Sequence, residues 1–186
     1  MLSPGRSRLV VVDVQERLLP SIEHGTQILQ SLRFLLDAAR ILNVRTIVTE
    51  QYPKGLGPTV AEIATHAAIT SRLEKLRFSA AEVLSDAGEL DRTDDADPPQ
   101  IVLVGIETDI CVQQTAADLI AQGCDVFLAL DASGSRHAID AQTAVHRMRT
   151  SGVVITTVES IAFEWCEVAG SEQFKALSQL VKDRVR

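Results

Sequence analysis

Short, valine-rich apolar runs alternate along this chain with longer segments of helical period, about six times over. That alternation is the tightest constraint on the fold. A run that is apolar at successive positions suits a strand buried on both faces. Leu9–Val14 (LVVVDV), Val44–Thr49 (VRTIVT), Ile101–Gly105 (IVLVG), Val126–Leu130 and Val153–Thr157 are such runs, and Ile69–Leu73 is a weaker one. Between them, Thr26–Asn43 places Ile28, Leu29, Leu32, Leu35, Leu36, Ala39 and Leu42 on one helical stripe. Ser79–Leu90 reads as a helix with Ser79 as N-cap. Asp109–Gln122 reads as a helix stopped by Gly123, and Ser135–Ser151 as one ended by Gly152. Ser171–Lys182 is the last helix, with Phe174, Leu177 and Leu180 on its buried face. Buried strands separated by helices pair in parallel, and right-handed crossovers then give a three-layer α/β/α sandwich. The 186 residues are expected to form one domain, 1–186.

Composition narrows the function. Lys plus Arg number 18 against 25 Asp plus Glu, a net charge of −7. An acidic chain is a poor partner for nucleic acid, and 4 % aromatics leave no stacking platform for single strands. No apolar run reaches the length of a membrane span, and no signal peptide is readable before the first strand. Cys111, Cys124 and Cys166 show no paired spacing, so reduced thiols and a cytoplasmic location are expected. Asp91–Pro99 (DRTDDADPP) reads as a solvated acidic loop without chemistry.

In an open parallel sheet, ligands sit beyond the carboxyl ends of the strands, at a point where strand order reverses. The residues there are Asp13 and Gln15; Glu50, Gln51 and Tyr52; Lys75; Gly105 through Cys111; and Asp131 and Ser133. Cys111 stands out because it falls in the first turn of a helix after a buried strand. Free N–H groups and the helix dipole there favour a thiolate and could hold an oxyanion. A buried, inert thiol is the competing reading, and it is the favoured one for Cys124 and Cys166. Asp13 follows a run of valines, where a carboxylate needs a partner or acts as a cap. Arg72, Lys75 and Arg77 are all candidate cations, and composition does not choose among them. His24, His66, His137 and His146 form no ligand motif. Gln51–Thr59 (QYPKGLGPT) has two prolines and two glycines and reads as a loop. Its GLG, Gly55–Gly57, lacks a phosphate-loop ending and suits a mobile lid.

VVDVQ at 11–15, TEQYPKGLGPT at 49–59, KLRFS at 75–79 and VGIETDICVQQTA at 104–116 resemble the isochorismatase-like cysteine hydrolases, in particular the isochorismatase domain-containing proteins. The similarity runs from about Arg8 to Lys182. It implies a Rossmann-like six-stranded parallel sheet and a catalytic triad on Asp13, Lys75 and Cys111. It also implies a cis peptide between Ile106 and Glu107, with the backbone N–H groups of Glu107 and Cys111 forming the oxyanion hole. Gln15, Gln51, Tyr52, Gly55 and Gly57 would then line the pocket or its lid. Nicotinamidases of this family hold a metal through an aspartate and histidines after the second strand. Here that place reads Glu50-Gln51-Tyr52-Pro53, so no metal or other cofactor is expected. The implied activity is metal-independent hydrolysis of a small amide or carbamoyl compound through a thioester, in a homo-oligomer. Vinyl-ether hydrolysis of the isochorismatase type, or a silent interaction protein on the same fold, are the alternatives.

Overall fold

The computed structural model describes residues 1–91 and 97–184. Strands β1 (Ser7–Val12), β2 (Arg45–Gln51), β3 (Ile69–Lys75), β4 (Gln100–Ile106), β5 (Asp125–Gly134) and β6 (Val154–Thr156) form one sheet in the order β3-β2-β1-β4-β5-β6. All neighbouring pairs are parallel. Successive strand residues point to opposite faces, so β1 divides its side chains between two cores. Leu9 and Val11 pack with α1 (Gly25–Ile41), α7 (Val158–Cys166) and α8 (Glu172–Arg184). Val10 and Val12 pack with α4 (Ala81–Asp86), α5 (Gln113–Ala121) and α6 (Ala138–Thr150). The sheet is therefore covered on both faces, as the unbroken apolar runs predict. Two four-residue helices, α2 (Pro53–Leu56) and α3 (Ala61–Ala64), interrupt the β2–β3 connection.

Strand order reverses between β1 and β4. The chain builds outward from β1 through β2 to β3, then returns to the other side of β1 with β4. The crevice outside the carboxyl ends of β1 and β4 is thus the place for a site. Gly105 lets the two strands meet there. It has φ of 113°, and a Cβ on it would press into the carbonyl oxygen of Val12. No L side chain fits both conditions.

Several boundaries differ from those the sequence predicts. Helix α4 begins two residues after Ser79, whose hydroxyl accepts from the Ala81 N–H at 3.3 Å. It ends at Asp86, well before Leu90, because Gly88 turns the chain at φ of 70°. Strand β5 runs on to Gly134 rather than stopping at Leu130. A register shift after Leu103 brings Ser133 opposite Gly105 and Gly134 opposite Ile106. Helix α6 starts at Ala138, not Ser135. Helix α7 is absent from the elements the sequence predicts. Its signal is the Val158, Ile161, Ala162, Trp165 stripe after Thr157, whose hydroxyl accepts from the Ser160 N–H. Trp165 is buried and donates to the Ser7 hydroxyl at 2.9 Å, tying α7 to β1. Cys166, expected in the core, is only half-buried at the end of that helix. Residues 92–96 of the expected acidic loop lie outside the described residues.

Candidate active site

The ends of three strands meet in the crevice. Asp13 follows β1, Lys75 is the last residue of β3, and Cys111 lies in the turn after β4. Strand β2 separates β1 from β3. Adjacent strands lie about 4.8 Å apart, so a group on β3 must cross nearly 10 Å to reach the end of β1. A lysine stem is long enough. Lys75 Nζ donates to Asp13 Oδ2 at 2.7 Å, with side-chain exposures of 1 % and 0 %. The ammonium is also held by Gln51 Oε1 at 2.8 Å, the Phe78 carbonyl at 2.8 Å and the Arg77 carbonyl at 3.3 Å. Asp13 adopts φ of 52°, in the left-handed region that aspartate tolerates better than most residues. Its Oδ1 accepts from the Thr49 hydroxyl at 2.7 Å. The other two candidate cations turn elsewhere: Arg72 lies 3.4 Å from Glu50, and exposed Arg77 lies 3.5 Å from Glu82. Lys75 alone of the three is brought to Asp13.

Cys111 sits in a π-helical turn, Thr108–Val112, that leads into α5. A place at a helix start predicts a thiol lowered toward neutrality, and the structure reverses that direction. The thiol is pushed up to about 12. Burial is the largest cause, the Asp13 charge adds to it, and the Lys75 charge opposes both. The resting side chain is therefore a neutral thiol beside an ion pair.

The Ile106–Glu107 peptide is cis. The Glu107 carboxylate, buried at the start of the turn, accepts from Arg136 at 2.9 Å. Asp109 accepts from the Ser135 hydroxyl at 2.5 Å. These contacts brace the turn against the chain leaving β5. The Thr108 hydroxyl is buried with no hydrogen-bond partner among the described residues.

Of the residues expected to line the pocket or lid, Tyr52 borders a cavity together with Lys75, Leu76, Arg77 and Ser79, while Gln15 and Gln51 are buried in hydrogen bonds. Gln15 is fully buried. Its Nε2 donates to the carbonyls of Gln51 and Gly57, at 3.0 and 2.6 Å, and its Oε1 accepts from the Gln51 N–H at 2.8 Å. The Gln51 side chain joins Lys75 to the Leu76 carbonyl. Neither amide is turned to an open pocket. The Gln51–Thr59 segment is hydrogen-bonded to the chain that follows β1. Arg17 donates to the Gly55 carbonyl at 2.7 Å, the Glu16 N–H to Pro58, and the Arg17 N–H to Leu56. Half-exposed Tyr52, at φ of 39°, lays its ring over Gly55, where a Cβ would collide with it. Gly57 takes φ of 78°. Asp131 and Ser133, expected beyond the end of β5, lie within it and serve the fold: Asp131 accepts from the Val158 N–H and from Arg184, and Ser133 donates to the Ala129 carbonyl.

Glu50, on the opposite face of β2 from Gln51, accepts from the Thr59 N–H and hydroxyl at 2.7 and 2.6 Å. Among the described residues, no three or more His, Cys, Asp or Glu side chains gather as a metal site. His66 lies near Asp37, while His24, His137 and His146 are exposed. No helix of the described residues is long and apolar enough to cross a membrane.

Thr49 and the Phe78 carbonyl escape a reading of the sequence. Thr49 leaves a faint trace as the polar end of an apolar strand. A backbone acceptor leaves none.

The isochorismatase domain model matches residues 7–160 of this chain. The chain belongs to the isochorismatase family. Within that family, isochorismatase domain-containing protein 2 of Danio rerio is 35 % identical over 180 residues, spanning 97 % of this chain and 89 % of the relative. The secreted isochorismatase effector Isc1 of Phytophthora sojae is 37 % identical and covers 100 % of this chain and 89 % of its own. Among solved structures, the MAR1 ribonuclease from Caenorhabditis elegans superposes with a TM-score of 0.88 at 34 % identity, covering 97 % and 92 % of the two chains.

Proposed function

We propose that this chain is a metal-independent cysteine hydrolase of a small amide or carbamoyl compound. The observation that carries the reading is the buried Lys75–Asp13 ion pair beside the Cys111 thiol, at the strand crossing point of an isochorismatase-family fold. A thiol held at about 12 cannot rest as a thiolate, so attack needs a base in contact with it. Asp13 takes the Cys111 proton as sulfur bonds to the substrate carbonyl carbon. The backbone N–H groups of Glu107 and Cys111 receive the oxyanion. The C–N bond breaks, Asp13 passes the proton to the leaving nitrogen, and a thioester remains on Cys111. Asp13 then takes a proton from water as the water oxygen attacks the thioester carbon; the C–S bond breaks, the acid product leaves, and Asp13 returns the proton to the Cys111 sulfur. Lys75 stays an ammonium throughout and keeps the carboxylate in place.

Metal independence rests on Glu50, whose carboxylate is committed to Thr59 and Arg72. A small substrate fits a cysteine that is only 5 % exposed. The nuclease activity in the C. elegans neighbour's name is not carried over. The chain has a net charge of −7, and Arg72, Arg77 and Arg136 each face a carboxylate, which disfavours a polyanion at the site. A reducing, cytoplasmic setting accords with the three free thiols.

The reading is tested by incubating the protein with a panel of small amides and carbamoyl compounds and trapping the acyl-enzyme by acid quench. A mass increment on Cys111 is expected, absent in Cys111→Ala and retained in Cys124→Ala. Turnover by Cys111→Ala at the wild-type rate would remove the nucleophile assignment.

We also propose a homo-oligomer. Val154 on edge strand β6 and Ile139 at the start of α6 are exposed apolar residues, at 49 % and 67 %. Sedimentation at micromolar concentration is expected to give a mass of at least two chains. A mass of one 20.2 kDa chain contradicts this.

A further inference from the structure

We propose that Gln51 is a positioning residue: its amide oxygen holds the Lys75 ammonium against Asp13 and Cys111, and Gln15 in turn holds Gln51. The inference rests on the hydrolase reading above but concerns a strand that supplies none of the three reacting groups.

Sheet order makes the role available. Strand β2 lies between β3, which carries Lys75, and β1, which precedes Asp13. Whatever ends β2 must therefore lie beneath the lysine stem as it crosses. Residues two apart on a strand share a face. Thr49 and Gln51 share the face toward the ion pair, where Thr49 donates to Asp13 and Gln51 accepts from Lys75. Glu50, between them, faces the other way and holds Thr59. Gln51 adds a neutral acceptor at 2.8 Å and no charge, so the ammonium remains balanced by Asp13 alone. Its Nε2 donates to the Leu76 carbonyl at 2.7 Å, which fixes the amide's orientation. Its backbone N–H and carbonyl are both bonded to Gln15. The bonds thus run without a break from the Gly57 carbonyl through Gln15 and Gln51 to Lys75.

The charged groups around the thiol are few. Asp13 reaches it from β1 and Lys75 from β3. Glu107 is held by Arg136, Asp109 by Ser135, Arg77 by Glu82, and Glu50 lies on the opposite face of β2. Since Lys75 is the one group among the causes at Cys111 whose charge favours the thiolate, a displaced ammonium is read out at that sulfur.

The test is the pH profile of Cys111 alkylation by iodoacetamide on the full chain, followed by mass spectrometry. Gln51→Leu removes the acceptor at similar size. It is expected to move the profile to higher pH, read as an alkylation rate about tenfold lower at a fixed near-neutral pH. Gln51→Met, unbranched like glutamine, is expected to do the same and covers the case in which the leucine variant fails to fold. In a Lys75→Met background, Gln51→Leu is expected to add no further shift, because it acts through the lysine. Glu50→Gln is expected to leave the midpoint in place. A folded Gln51 variant with the wild-type midpoint overturns the proposal, as does a full further shift in the Lys75→Met background. If the shift is found but no amide is hydrolysed, the hydrolase reading falls and the positioning role stands.

Discussion

Asp13→Asn is expected to lower the alkylation midpoint of Cys111 by about two pH units or more, and Lys75→Met is expected to raise it. The opposite signs follow from the causes at the sulfur. Burial pushes the thiol up to about 12, the Asp13 charge pushes the same way, and the Lys75 charge pulls it down. Asparagine removes the like charge and leaves the ammonium facing the sulfur, so a thiolate becomes easier to form. Methionine removes the ammonium and leaves a carboxylate beside the thiol. Both variants are nevertheless expected to lose turnover entirely. A more easily formed thiolate does not help when the proton has no carrier to the leaving nitrogen and none to activate water. Reactivity toward alkylation and catalysis would thus separate in Asp13→Asn. The measurement is the midpoint of iodoacetamide labelling in each variant, with Arg77→Met as a control expected to match wild type. Midpoints that move in the same direction would show that Asp13 and Lys75 do not act on Cys111 as opposed charges.

Removing Lys75 alone is also expected to cost about 3–5 kcal/mol of folding stability, because it leaves the Asp13 carboxylate buried without its counter-charge. Asp13 has no exposed surface, and the neutral groups beside it are the Thr49 hydroxyl and the Cys111 thiol. Neutral groups do not replace an ammonium at 2.7 Å. Asp13→Asn combined with Lys75→Met removes both charges and is expected to recover most of the loss. Arg77→Ala, which breaks an exposed pair with Glu82, is expected to stay within about 0.5 kcal/mol of wild type. Urea unfolding at neutral pH measures all of these. A Lys75→Ala protein as stable as wild type would mean that the buried pair contributes nothing to folding stability.

The layered fold and the crevice are legible in the chain because they follow from local patterns. Doubly buried strands need successive apolar residues, as in Leu9–Val12, and covering helices need a stripe, as in α1. Asp13, Lys75 and Cys111 stand out as strand-end residues by pattern alone, and the family resemblance singles out Lys75 from its two arginine neighbours. Properties set by several distant segments at once are not legible in this way. The direction of the Cys111 shift depends on how far β1, β3 and the turn after β4 together exclude water, and no window of sequence contains all three. The work of Thr49 and Gln51 depends on β2 lying between β3 and β1, which strand order decides. The hydrogen bonds of the Gln51–Thr59 turn come in part from Gln15, more than 30 residues away. Periodicity and composition thus determined the elements and the candidate residues. The parallel sheet decided which polar atoms came within hydrogen-bond distance, because burial and electrostatics are set by neighbours in space rather than along the chain.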